Sequence, residues 1–437
     1  MDKLPYSLLL QILSRLDDSA DVARCRVASK AFDAVFPDHR SINLLCSVKW
    51  YINSRSRVSS SQHIKPFKAV ILDLISRLIT VESVSISVEN PILCVSHHVV
   101  PNRDDFYLTD GDFAKEWLPR VSGSLKSLSL SGLPYYSTRR QSDVLPLISA
   151  YCYNLVNLRL KFGWLSVHNV NPMPMLTSLT LESVKLEDEQ LNELNKCFPN
   201  LQNCNLLSIA GLKYPKINLL KLKTCHCSLN DTPLLTLITP DLITLKIEHN
   251  LQAALHIEAP LLSNFYLGIN ASLLSMYFDG IDPAYTFTVK NFENLETLWL
   301  KSSFIGSLLS EFPITETVEN LTLESTNSDA TDSKFILGKV FTVFPNVSSL
   351  CIVDGRNGLK TIRVYLMLDD DDPSSTFSSV AYVLDQCVGL LEVLLLIHDD
   401  VIGPVSESFR SKCRAHWPGF NWRWGIWNKH LEDSWMT

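Results

Sequence analysis

With 437 residues, of which 46% are apolar and 19% charged, the chain suits two units or one elongated repeat array around a continuous core. That balance excludes global disorder, and a net charge of −7 argues against a general binder of nucleic acid or anionic membrane. Eleven cysteines, an odd number scattered along a long chain, suit reduced thiols in the cytoplasm or nucleus better than a disulfide framework. No secretory leader is expected, because Asp2 precedes the first basic residue and Gln11 interrupts the apolar run Leu8–Leu10. Nor does any stretch reach the roughly eighteen apolar residues of a membrane span.

Leu4 to Phe32 reads as a helical hairpin. Pro5 fits a first helical turn, where its missing N–H has no partner to lose. Leu8, Leu9, Ile12, Leu13 and Leu16 follow on one apolar face. Asp17-Asp18-Ser19 predicts a turn in which Asp18 or Ser19 caps a second helix. There Val22, Cys25, Ala28 and Phe32 recur every three or four residues, with Arg24, Arg26 and Lys30 on the other side. So short a hairpin has little core of its own, so its apolar surface must meet the following domain or a partner.

The pattern LPxxLLxxILSRL, an Asp-containing turn, then RCRxxSKxF resembles the F-box over about thirty residues. The resemblance implies a leucine/isoleucine face docked on the small Skp-type adaptor of a cullin ubiquitin ligase, with the second helix continuing the interface. Position by position it implicates Leu4, Pro5, Leu9, Ile12, Leu13, Leu16, Val22, Cys25, Val27 and Lys30. Phe32 stands where many plant members carry Trp, which keeps an aromatic plug.

Residues 40–50 suit a short strand or a helix, and the serine-rich, basic stretch 51–66 reads as an exposed loop. From about residue 80 an apolar residue recurs with others at +3 and +5, the LxxLxL spacing. The series runs from Val81/Val84/Ile86 through Leu125/Leu128/Leu130, Leu155/Leu158/Leu160, Leu176/Leu179/Leu181, Leu201/Cys204/Leu206 and Ile217/Leu220/Leu222. It continues through Leu242/Leu245/Ile247, Leu262/Phe265/Leu267, Leu295/Leu298/Leu300, Val318/Leu321/Leu323 and Val347/Leu350/Ile352 to Leu391/Leu394/Leu396. Several units share the lead-ins FPNL, TPDL, APLL or FPNV. Residues at +3 and +5 share one side of a strand, and no single repeat can bury that side alone, so neighbours must stack. This resembles a leucine-rich repeat, irregular in spacing, with inserted loops or degenerate units after residues 86 and 352.

Return helices are expected at residues 188–194 and 378–386, with loops for most other returns. The tail holds Trp417, Trp422, Trp424, Trp427 and Trp435, suited first to an aromatic cap on the last repeat and second to a partner surface. The predicted layout is a helical F-box at 1–45, a linker at 46–79, repeats at 80–400 and a Trp-rich cap at 401–437. The fold class is α+β or α/β repeat: a helical F-box, then an irregular leucine-rich-repeat solenoid with a parallel sheet on its concave face.

No catalytic, metal or cofactor motif emerges. Cys225-His226-Cys227 lacks the distant second pair of a zinc signature, His97-His98 has no companion ligands, and Asp369–Asp372 lacks the EF-hand pattern. The chain is therefore expected not to be an enzyme and to need no cofactor. In each strand the residue between +3 and +5 faces outward, which nominates Arg159, Lys221, Lys246, Tyr266 and Trp299 as a substrate surface of basic and aromatic character. The two resemblances together imply the substrate-recognition subunit of a Skp–cullin–F-box ubiquitin ligase. Its partners would be the adaptor, through it the cullin, and a target protein, with neither nucleic acid nor membrane. The alternatives are a binding scaffold whose hairpin is only a cap, and a receptor in which a small molecule joins the target to the repeats.

Overall fold

A computed structural model describes residues 4–49, 51, 66–89, 103–133, 139–229, 232–249, 254–269, 286–289, 292–302, 305–325, 349–351, 361–366, 392–398, 404–428 and 431–436, with short pieces at 340–346 and 377–385. The chain forms two compact units, Met1–Thr232 and Pro233–Thr437.

The first unit opens with three helices, not the two expected: α1 (Tyr6–Ser14), α2 (Ser19–Ala28) and α3 (Lys30–Val35). Asp18 caps α2 by accepting from the Ala20 N–H at 2.8 Å. Ser29 is extended (φ −150°), which ends α2, and its hydroxyl accepts from the Ala31 N–H at 3.3 Å to start α3. Of the apolar period only its ends are buried, Val22 and Phe32, while Cys25 is half-buried and Ala28 exposed.

Residues 41–47 form a strand, β1 (Ser41–Ser47), paired in parallel with β2 (Ser83–Glu89) from Ser41↔Ser83 to Ser47↔Glu89. The sheet thus starts well before residue 80, and the boundary drawn at 45/46 falls inside its first strand. Between the two strands lies α4 (Phe67–Arg77), which buries Phe67, Ile71 and Ile75 within the stretch read as a linker. Its first turn is held by Asp105, whose carboxylate accepts from the N–H groups of Phe67 (2.6 Å) and Lys68 (2.9 Å). Residues 52–65, the core of the serine-rich stretch, lie outside the described residues.

Parallel strands then stack in chain order: β3 (Ser127–Ser131), β5 (Asn157–Leu165), β6 (Ser178–Lys185), β7 (Asn203–Ile209) and β9 (Thr224–Leu229). Two short strands accompany them, β4 (Gln141–Ser142) beside β5 and β8 (Lys216–Asn218). Returns are made by α5 (Gly111–Val121), α6 (Val144–Tyr151) and α7 (Asp188–Cys197), the last at the position expected. Each main strand after β1 sends a pair two residues apart inward, from Val84/Ile86 to Cys225/Cys227, none more than 3% exposed.

The lead-in motif has a structural cause. In FPNL the Phe198 carbonyl accepts from the Leu201 N–H at 3.2 Å, a turn that favours Pro199 at its second position. Asn200 then donates from Nδ2 to the Pro174 carbonyl of the preceding repeat at 2.8 Å. Asn154, Asn294 and Asn346 make the same bond to Gly123, Pro260 and Glu316.

The second unit repeats the scheme with parallel strands β11 (Thr244–His249), β13 (Asn264–Ile269), β15 (Thr297–Ser302), β16 (Asn320–Ser325), β17 (Ser349–Cys351), β18 (Thr361–Leu366), β19 (Glu392–His398) and β20 (Asn421–Asn428). β10 (Leu234–Ile238), β12 (Ala254–Glu258) and β14 (Thr286–Val289) pair into a separate parallel sheet, so several returns expected as loops are strands. α8 (Ile305–Glu311) and α9 (Pro404–His416) supply helical returns. Of residues 378–386, Val380, Ala381, Leu384 and Asp385 are described and helical. Phe265, Phe292, Phe312 and Phe344 run through successive repeats, with centroids 5.4–5.9 Å apart.

Two repeat assignments shift. At Ile217/Leu220/Leu222 the strand lies farther along: Leu220 is 65% exposed in a turn, while Leu222, Cys225 and Cys227 are the inward set. At Leu391/Leu394/Leu396 the register moves by one, because Val393, not Leu394, pairs with Ile362, which itself pairs with Leu350. β18 is a further unit after residue 352, its Ile362 paired with both Leu350 and Val393.

The tail continues the ladder. Trp422 and Trp424 of β20 continue the positions of Val393 and Leu395, stacked 5.3 Å apart, and Arg410 and Arg414 of α9 lie over the Trp424 ring. β21 (Leu431–Met436) reverses direction and pairs antiparallel with β20.

Candidate functional site

The helical head divides the residues nominated for adaptor binding into two groups. Leu9, Leu13 and Val22 are buried, at 4%, 0% and 2% exposure, against the head's own core and not on its surface. They are apolar positions of an amphipathic pair of helices, so the chain itself uses them first. Leu4, Pro5, Val27 and Lys30 are exposed, and Ile12, Leu16 and Cys25 are half-buried. Val27 stands 91% exposed on α2, and Tyr6 and Leu8 add apolar surface on α1 that the motif did not single out. Leu8 was legible as part of the apolar helix face. Tyr6 donates its hydroxyl to Asp38 at the end of the head, and Asp38 raises the phenol's pKa by accepting it. Arg26 lies 3.8 Å over the Phe36 ring and pairs with Asp33, which fixes the packing of α2 on α3.

On the open sheet face of the first unit, Arg159 donates to Glu182 at 2.8 Å, and Lys161 pairs with the other oxygen of the same carboxylate. Burial raises the pKa of Glu182, but the hydrogen bonds from Lys161 and Arg159 outweigh it and hold the carboxyl below its usual range. Lys221, nominated as an outward strand residue, sits instead in the turn before β9 and donates to Asn200 Oδ1 at 2.8 Å. The outward residue of that strand is His226.

In the second unit Lys246, Tyr266 and Trp299 do come together on neighbouring strands. Tyr266 and Trp299 meet edge to face at 5.2 Å, and Lys246 lies 5.0 Å over the Tyr266 ring while pairing with Glu248 at 2.9 Å. Tyr266 folds over Gly268, where a Cβ would come within 3.1 Å of its ring. Burial, with Glu248 and Glu324 nearby, pushes the phenol up to about 12, so it is a hydrogen-bonding group and not an acid.

Among the described residues no group of three or more His, Cys, Asp and Glu side chains is placed to hold a metal ion. Cys225 and Cys227 point inward with sulfurs 3.5 Å apart, while His226 lies on the other side of the strand. His97-His98 and Asp369–Asp372 lie outside the described residues. No helix among the described residues is long and apolar enough to cross a membrane.

A small helical head with apolar side chains turned outward, followed by stacked parallel repeats with mixed polar and aromatic faces, defines a leucine-rich-repeat protein with a docking head. Residues 1–42 match the F-box-like family. Over 462 aligned positions, covering the whole of both chains, the protein is 34% identical to an F-box/LRR-repeat protein of Arabidopsis thaliana. The chain belongs to the plant F-box/leucine-rich-repeat family.

Proposed function

We propose that this chain is the substrate-recognition subunit of a Skp–cullin–F-box ubiquitin ligase, acting in the cytoplasm or nucleus and promoting ubiquitination and degradation of its target. The observation that carries the reading is the match of the head to the F-box, whose domains bind Skp-type adaptors, on a head that leaves Leu4, Leu8 and Val27 uncovered. The helices lay these side chains in the adaptor's groove, and the repeats hold a target protein at a fixed distance from the ubiquitin-conjugating enzyme on the cullin. Rate enhancement comes from proximity and orientation, with no reacting group on this chain.

The test is co-elution with a plant Skp-type adaptor as a 1:1 complex. Val27→Asp should abolish the complex without lowering the urea midpoint, because the side chain is 91% exposed in the free chain. Leu9→Asp would bury an unpaired charge in the head and lower stability as well, so it cannot separate docking from folding. Full adaptor binding by the Val27→Asp chain would overturn the reading. A second reading, in which the head only caps the repeats, is favoured by one contact: the Asn43 N–H of β1 donates to Ser19 Oγ at 2.9 Å. A folded chain that binds no adaptor would select it.

A further inference from the structure

Three successive strands of the first unit share one backbone departure. Phe162, Ser183 and Ser208 have φ of 59°, 51° and 52°, the left-handed region, at equivalent places in β5, β6 and β7. The ladder skips each of them: Lys161 pairs with Glu182 and Gly163 with Val184, and the next register shifts between Leu207 and Ile209. Ser208 is a bulge against β9, while Phe162 and Ser183 lie opposite each other as matched left-handed kinks, and each break interrupts the alternation of its strand. Burial follows, with two consecutive side chains left partly or fully open in each strand (Lys161 and Phe162, Glu182 and Ser183, Leu207 and Ser208) before the next one turns inward. None of the three is glycine, so the strain has been kept and not relieved.

The added column widens the open face exactly where its charge is unbalanced. Arg159, Lys161 and Lys185 meet a single carboxylate, Glu182, which Arg159 and Lys161 share. Lys185 pairs with no carboxylate among the described residues and lies 3.9 Å over the Trp164 ring, while Lys161 lies 5.0 Å over Phe162. The neighbouring outward positions Ser129, Ser131, Thr180 and Asn205 carry no charge. Surplus positive charge beside two part-exposed rings, in a chain of net charge −7, complements an anionic segment that also carries apolar side chains.

We propose that this bulged face of the first unit docks an acidic segment of a protein partner, its carboxylates taken by Arg159, Lys161 and Lys185 and an apolar side chain lying on Phe162 and Trp164. That the partner is the ligase's target rests on the substrate-receptor reading; the surface itself does not. A nucleic acid is the poorer occupant, because three cations around one carboxylate neutralise few phosphates, and affinity for a polyanion grows with the number neutralised.

The experiment uses the full chain with its adaptor and a fluorescein-labelled peptide of glutamates around one phenylalanine, read by anisotropy. The same peptide with lysines and a single-stranded oligonucleotide serve as further probes. Saturable binding of the acidic peptide that weakens with salt is expected, with a loss of about tenfold or more in Arg159→Glu/Lys185→Glu and none in Lys301→Glu of the second unit. Phe162→Gly should also weaken it while keeping the fold, since glycine takes a left-handed φ freely. No saturable binding, an equal loss in Lys301→Glu, or preference for the lysine peptide or the oligonucleotide would overturn the proposal. Adaptor co-elution is read on the same samples. Its loss with peptide binding intact counts against the ligase reading and leaves this surface standing.

Discussion

Cys152 and Cys413 sit where burial alone pushes each thiol up to about 12, so neither ionises near neutral pH. Alkylation of the folded chain at mildly alkaline pH, followed by mass spectrometry, should leave both unmodified while the half-buried Cys25 is labelled. In urea all three should react. Labelling of Cys152 at the rate of Cys25 in the folded chain would mean that the core beneath α6 opens readily. The head shows what single residues disclose in a sequence and what they do not. The F-box resemblance nominates Leu9, Leu13 and Val27 alike, yet Leu9 and Leu13 are buried in the head's own core and Val27 is exposed. A motif records that a position is constrained; only packing tells by which neighbour.

At the scale of elements, +3 and +5 spacing located most of the parallel strands because inward pairs such as Leu158/Leu160 and Leu179/Leu181 alternate with polar residues. It failed where apolar residues run together. Leu219, Leu220 and Leu222 offer two overlapping registers, and the nominated one moved Lys221 onto a strand it does not occupy. The run around Leu394 hid a one-residue slip for the same reason, whereas Leu359/Ile362/Val364 was present and went unread. The corrected register makes a sharp prediction. Leu222→Ala should cost about 2–5 kcal/mol in urea denaturation as a fully buried side chain. Leu220→Ala should change stability by no more than about 0.5 kcal/mol. Equal effects would restore the earlier register. Of the candidate recognition face, Lys246, Tyr266 and Trp299 were legible because their strands were read correctly; the left-handed residues Phe162, Ser183 and Ser208 were not, since no glycine announces them.

Across the whole molecule, both units are built by the same rule, one main-sheet strand per repeat with the lead-in asparagines Asn154, Asn200, Asn294 and Asn346 tied to the repeat before. Such an array ends in an open row of backbone donors and acceptors unless something covers it. Among the described residues β21 pairs with β20 alone and covers that row. Removing residues 429–437 should therefore cause concentration-dependent self-association in sedimentation velocity, with little change in far-UV circular dichroism. A truncated chain that stays monomeric would show that the edge of β20 is protected by another means. The reversal of β21 also sets where the gene can lengthen. A parallel repeat inserted upstream of Asn421 finds a parallel neighbour on both sides, whereas one placed beyond β21 would meet it antiparallel and break the parallel stacking. One repeat inserted before β20 should therefore keep the fold better than the same repeat placed beyond β21, as read by far-UV circular dichroism and urea denaturation.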